Sequence, residues 1–183
     1  MREIKFRGKR VDNGKWVYGG MSVYGEHFFI VTTHLELSES DNTYFSLTGI
    51  EVISETIGLD TGLKDKHGKE IYEGDIVKII TNECVGEERY TYGRQKWTYP
   101  EYADVVSIGV VKWGKTQYPY DKVSVYYVDT ENELIYDTYF YQMKSSDLPR
   151  ICKIKIKPAI EEVKSAEVIG NIHDNPELLE VES

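Results

Sequence analysis

Few of the residues able to do chemistry stand at spacings that would let them do it. His27, His34, His67 and His173 are scattered, and none belongs to an HxxxH, HExxH or HxH pattern that brings two ring nitrogens to one metal. His34-Leu35-Glu36 matches the HxE of zinc deaminases, but no PCxxC follows it. Cys84 and Cys152 have no neighbouring base and form no CxxC pair, and no GxSxG elbow presents a serine. Asp60 to Glu70 has the acid density of a calcium loop, yet Lys64, Lys66 and Lys69 sit where oxygen ligands should be. Gly62, Gly68 and Gly74 recur regularly without the GK[ST] ending of a phosphate loop. Glu3-Ile4-Lys5 and Glu162-Val163-Lys164 each match half of a nuclease site, with no Pro-Asp element upstream. The expectation is a protein that is not an enzyme, with no catalytic set, no cofactor and no metal. Were it one, Asp65, Glu70, Glu73 and Asp75 would be its acids.

One constellation suits binding. Arg89-Tyr90-Thr91-Tyr92-Gly93-Arg94-Gln95-Lys96-Trp97-Thr98-Tyr99 reads as a hairpin with its turn at Gly93-Arg94. Tyr90 and Tyr92 then share a face on one strand and Trp97 and Tyr99 on the next, with Arg89, Arg94 and Lys96 supplying cations. Rings with cations make a stacking platform for single-stranded nucleic acid, and Tyr, Trp and Arg are equally the residues enriched at protein interfaces. The same rings could instead stabilise the hairpin by cross-strand pairing. Glu87, Glu88, Glu101 and Asp104 flank the ribbon and blunt its positive field.

The elements that must carry these residues are strands. Fifteen Tyr and three Trp against five Phe favour a pleated, half-buried surface. Ile4, Phe6 and Gly8 alternate with Lys5, Arg7 and Lys9, and the pattern resumes at Trp16-Val17-Tyr18 after Asn13-Gly14, a β-hairpin signal. Further strands are expected at Phe28–Thr32, Tyr44–Leu47, Ile50–Ile53, Ile76–Ile80, Asp104–Trp113, Lys122–Asp129, Leu134–Met143, Ile151–Lys157 and Glu167–Ile172. Leu35–Asn42 reads as a loop. Gly14, Gly62, Gly68, Gly74, Asp75 and Gly170 are assigned to structural turns, and the Gly-Asp entry into a β-branched strand is the kind used by SH3-like barrels. Short helices are expected at Ala159–Ser165 and after Asn175, where Pro176 and Glu177 follow as first helical residues.

A chain of 183 residues, 40% hydrophobic, can bury a core. Its net charge of −9 repels phosphate backbones overall, but the charge is uneven: residues 1–20 carry six Lys/Arg against two acids, and residues 158–183 one Lys against seven acids. No apolar run reaches the roughly 18 residues of a membrane span, and no signal-peptide pattern is present. A cytoplasmic location without membrane contact is expected.

Three blocks carry a family resemblance. Ile4-Lys5-Phe6-Arg7-Gly8-Lys9 with Lys15-Trp16-Val17-Tyr18-Gly19, Thr61-Gly62-Leu63-Lys64-Asp65 through Glu73-Gly74-Asp75-Ile76-Val77, and Val168-Ile169-Gly170-Asn171-Ile172-His173-Asp174-Asn175-Pro176-Glu177-Leu178-Leu179 resemble the YopX family, in its order. The resemblance implies a small protein of bacteriophages and prophages with a β-rich fold containing an SH3-type barrel, and it supplies no activity. Residues 82–149 follow no pattern of that family.

The resulting expectation is a mainly β protein: an N-terminal β-hairpin unit over 1–58, then an SH3-like β-barrel domain over 59–183 with the aromatic hairpin inserted near 87–102 and a short C-terminal helix. Its expected function is that of a non-catalytic module binding a phage or host protein, or a second copy of itself as a homo-oligomer. The alternative is weak binding of single-stranded nucleic acid through the ribbon and the basic hairpin bearing Arg7, Lys9 and Arg10.

Overall fold

Alternating apolar and polar residues become strand almost everywhere in the computed structural model, which describes residues 4–37, 43–92, 95–115, 124–130, 134–139, 151–156 and 165–180. Twelve strands are present among them: β1 (Phe6–Lys9), β2 (Trp16–Tyr24), β3 (His27–Leu37), β4 (Thr43–Val52), β5 (Gly58–Lys64), β6 (Glu70–Tyr72), β7 (Asp75–Tyr92), β8 (Gln95–Lys115), β9 (Ser124–Thr130), β10 (Leu134–Tyr139), β11 (Ile151–Ile156) and β12 (Ser165–Asn171). The fold is mainly β.

The chain divides into two units. The first comprises Met1–Lys64 and Gly68–Gly74, and the second Asp65–His67 and Asp75–Ser183. Strands β5 and β6, which the sequence reading assigns to the second domain, belong to the first because β5 pairs with β1 and β6 with β5.

The first unit is a six-stranded sheet in the order β4-β3-β2-β1-β5-β6. Its core holds Ile30 and Val52, and Gly8 lies so close to Val52 that an added Cβ would come within 2.9 Å of it. The β1–β2 turn differs from expectation. A two-residue Asn13-Gly14 turn would set Asp12 opposite Lys15, whereas Lys9 faces Trp16 and Arg7 faces Tyr18. The Arg10 N–H still donates to the Lys15 carbonyl, so the loop spans Val11–Gly14, and its first residue turns to β4: the Val11 N–H donates to the Glu51 carbonyl beside the Arg10–Val52 bridge. That bridge brings the far edge of the sheet back to β1 at a single point. The loop expected over Leu35–Asn42 is strand as far as Leu37, since Leu35, Glu36 and Leu37 pair with Phe45, Tyr44 and Thr43. Residues 38–42 lie outside the described residues.

In the second unit β12-β7-β8-β9 form a four-stranded sheet, and β10 pairs with β11. Ile76, Val77 and Ile79 on β7 and Val111 on β8 are completely buried, as β-branched residues on two-sided central strands should be, and so is Val128 on the edge strand β9. Among the described residues no sheet closes on itself. Closure needs edge strands to meet, and β12 and β9 ladder only with β7 and β8 respectively, so the SH3-like barrel expected over 59–183 gives way to an open sheet.

Turn chemistry shows the local logic. Gly14, Gly62, Gly68 and Gly74 have φ of 68°, 75°, 83° and 81°. Gly62 is not at a turn, however, but inside β5, where the pairing with β6 shifts register between Asp60 and Lys64, a bulge that the left-handed backbone permits. Asp75 opens β7 and is 1% exposed. Gly170 also departs from its turn assignment: it sits within β12 at a register shift, where a Cβ would meet Asn175 Oδ1 and Leu178 Cδ1 at 2.8 Å. The C-terminal helix is one 3-10 turn, Pro176–Leu179, and Asn175 makes no side-chain capping bond to it. The helix expected at Ala159–Ser165 lies outside the described residues except for Ser165, which begins β12.

Candidate binding surfaces

The aromatic ribbon exists as a hairpin and is longer than its sequence signal. Strand β7 has 18 residues and β8 has 21, but β12 pairs with β7 only at Asp75–Ile80 and β9 with β8 only at Gly109–Lys115. Residues 81–92 and 95–108 therefore ladder only with each other among the described residues. At about 3.3 Å per residue this two-stranded stretch runs roughly 40 Å.

Register decides which positions meet. Tyr90 pairs with Trp97, Tyr92 with Gln95 and Glu88 with Tyr99, so positions 90, 92, 97 and 99 share one face. Arg89 pairs with Thr98 and Thr91 with Lys96, which puts positions 89 and 96 on the opposite face. Positions 89 and 96 thus lie on the side opposite positions 90, 92, 97 and 99; Arg94 lies outside the described residues. At the base of the ribbon the ring-bearing face continues as the buried one, through Ser107 and Ile79. The opposite face exposes Tyr102, Val106 and Ile108. Tyr92, near the tip, is 82% exposed.

A cation among rings is found instead in the first unit. Alternation along β1 places Lys5, Arg7 and Lys9 on one face, and the antiparallel register sets Trp16 and Tyr18 beside them. The Arg7 guanidinium lies 4.7 Å from the Trp16 ring centroid and 5.0 Å from that of Tyr72, while Nη2 donates to the Glu73 carbonyl at 3.2 Å. Arg7 is buried, and planar stacking is what lets a guanidinium leave water at modest cost. Lys9 Nζ stands 5.6 Å from the Trp16 centroid, and the Tyr18 and Tyr72 rings meet at 5.6 Å.

Around this stack the ionisable groups are perturbed. Tyr72 donates to Glu70 Oε2 at 2.9 Å, and Lys5 lies 3.6 Å from the other carboxylate oxygen. The Tyr72 hydrogen bond, followed by the Lys5 charge, holds Glu70 below the usual carboxylate range. Burial first, and Glu70 second, push the Tyr72 phenol well above its ordinary value. The sequence signals the cations of β1 but gives no sign that Tyr72 joins them. The missing signal was the pairing of β6 with β5, which brings a residue far along the chain to Arg7.

A model of the YopX protein family matches residues 5–180. The chain belongs to that family. No curated protein and no solved structure matches it. In this YopX chain the first resemblance block forms β1 and β2 and contributes Arg7, Trp16 and Tyr18 to the stack. The second and third blocks meet in the second unit: Asp65 Oδ2 accepts from the Val168 N–H at 3.2 Å, Oδ1 accepts from the His67 N–H, and Lys66 pairs with Glu167 at 2.6 Å. Of the acids considered for catalysis, Asp65 and Glu70 are therefore engaged in holding structure. Among the described residues no three His, Cys, Asp or Glu side chains converge as a metal site, and no helix is long and apolar enough to cross a membrane.

Proposed function

We propose that this YopX protein is a non-catalytic binding module whose β7–β8 ribbon pairs with a protein partner, either a phage or host protein or a second copy of the chain. The observation that carries the reading is the length of the ribbon: among the described residues, 81–92 and 95–108 ladder only with each other. An isolated two-stranded hairpin is marginal in water, and its open edges present rows of backbone donors and acceptors to any further strand. Strand addition supplies both the missing ladder and a cover for exposed rings, with alternate side chains setting specificity. The register favours a protein over nucleic acid at this place, because positions 89 and 96 do not share the face of positions 90, 92, 97 and 99. By the family resemblance, the setting for such a module is the cytoplasm of a phage-infected or lysogenic bacterium.

The test combines light scattering over a concentration series with affinity capture, using the full chain and Tyr92→Lys. Tyr92 is exposed enough for the substitution to leave the fold intact. Concentration-dependent dimers, or a captured protein, that are lost in the variant support the reading. A chain that is monomeric throughout and captures nothing in a Tyr92-dependent way overturns it.

A further inference from the structure

We propose that the face of the first unit built by β1, β2 and β6 is a stacking site for single-stranded nucleic acid, distinct from the ribbon and independent of its function. The face combines what such a ligand needs. Lys5, just before β1, and Lys9, at its end, stand at alternate positions on either side of the buried Arg7 and supply the accessible cations of the face, and Tyr18 is 51% exposed beside them. Trp16 is half-buried, with Arg7 and Lys9 both over its ring. The Tyr72 ring meets Tyr18 in a tilted contact with centroids 5.6 Å apart, so the accessible ring is held before any ligand arrives and less side-chain freedom is lost on stacking.

Charge selects the occupant. Residues 1–20 carry four more cations than anions in a chain whose net charge is −9, so this is where a polyanion meets least repulsion. Two carboxylates near the face are engaged: Glu70 accepts from Tyr72 and pairs with Lys5, and Asp60 is buried with Oδ1 accepting from the Gly62 N–H. Exposed rings add a preference for free base faces, which a duplex hides and an acidic peptide lacks. A single strand offers both phosphates and bases; the alternatives offer only charge.

The experiment is fluorescence anisotropy of labelled oligothymidylate with the full chain over a salt series, with a duplex of equal length and oligoglutamate as competitors. Tyr18→Ala should weaken binding about five- to a hundredfold, the range for one stacked base. Lys9→Gln should lower the slope of log affinity against log salt by about one. Tyr92→Lys in the ribbon should change neither, which separates this site from the ribbon's partner surface. Circular dichroism establishes that each variant is folded. The proposal is overturned if oligothymidylate does not bind at low salt, or if Tyr18→Ala and Lys9→Gln, both folded, bind like the parent chain. It is equally overturned if oligoglutamate or duplex competes as well as the single strand, since the face would then read charge alone.

Discussion

Arg7 and the ribbon cations are surrounded by the same residue types, and they end in opposite situations. In the first unit Arg7 is enclosed by Trp16, Tyr72 and the Glu73 carbonyl. In the second, positions 89 and 96 lie across the strand plane from the rings that neighbour them in sequence. The difference is one of phase. Arg7 has its rings on other strands, Trp16 diagonal to it on β2 and Tyr72 on β6 beyond β5, whereas position 89 is adjacent to position 90 in one strand and so faces the other way. Closeness in sequence separates residues in a strand, and pairing between strands reunites them.

Removing Arg7 tests that contrast most severely. Arg7→Ala leaves a void between two rings and strips the Glu73 carbonyl of its donor, and we expect a loss of about 2–4 kcal/mol in urea denaturation. Arg7→Lys keeps the charge but not the planar stack and should lose about half as much. Equal effects of the two would mean that charge, not stacking, holds Arg7 in place.

Alkali gives a subtler probe of the same region. Because the Tyr72 pKa is raised on folding, its stabilising contribution is complete below the ordinary phenol value of 10.0 and disappears as pH climbs toward the folded value. Glu70 has the opposite sign: its lowered pKa stabilises the fold above the ordinary 4.5 and that contribution fades as pH falls. Tyr72→Phe should cost about 1 kcal/mol at neutral pH and flatten both limbs of the stability profile. An unchanged profile in Tyr72→Phe would separate the two groups.

The smallest effect belongs to the ribbon. Tyr92→Ala should alter stability by less than about 0.5 kcal/mol, since an 82% exposed ring has little burial to lose. A larger loss would mean that the ribbon tip is packed in the free protein, and the contrast with Arg7 would narrow.

Legibility in the sequence followed the range of the interaction. The Gly68 turn and the strands at 76–80, 104–113 and 151–156 could be read from residues alone, because alternation and turn chemistry act over a few positions. Leu35–Leu37 escaped as a strand because its partner, Thr43–Phe45, begins beyond an acidic polar stretch that resembles a loop. The β1–β2 register escaped for another reason: Val11 is claimed by Glu51, a competitor that no local rule can see.

The amino-acid order by itself determined that this chain makes strands, where it can bend, and which unit is basic. Only the tertiary structure decided that Tyr72 meets Arg7, that Asp65 anchors Val168, and that position 90 of the ribbon pairs with position 97. Side-chain phase within a strand is fixed by the covalent chain every two residues, but the strand that lies opposite is chosen by burial and hydrogen bonding summed over the whole unit.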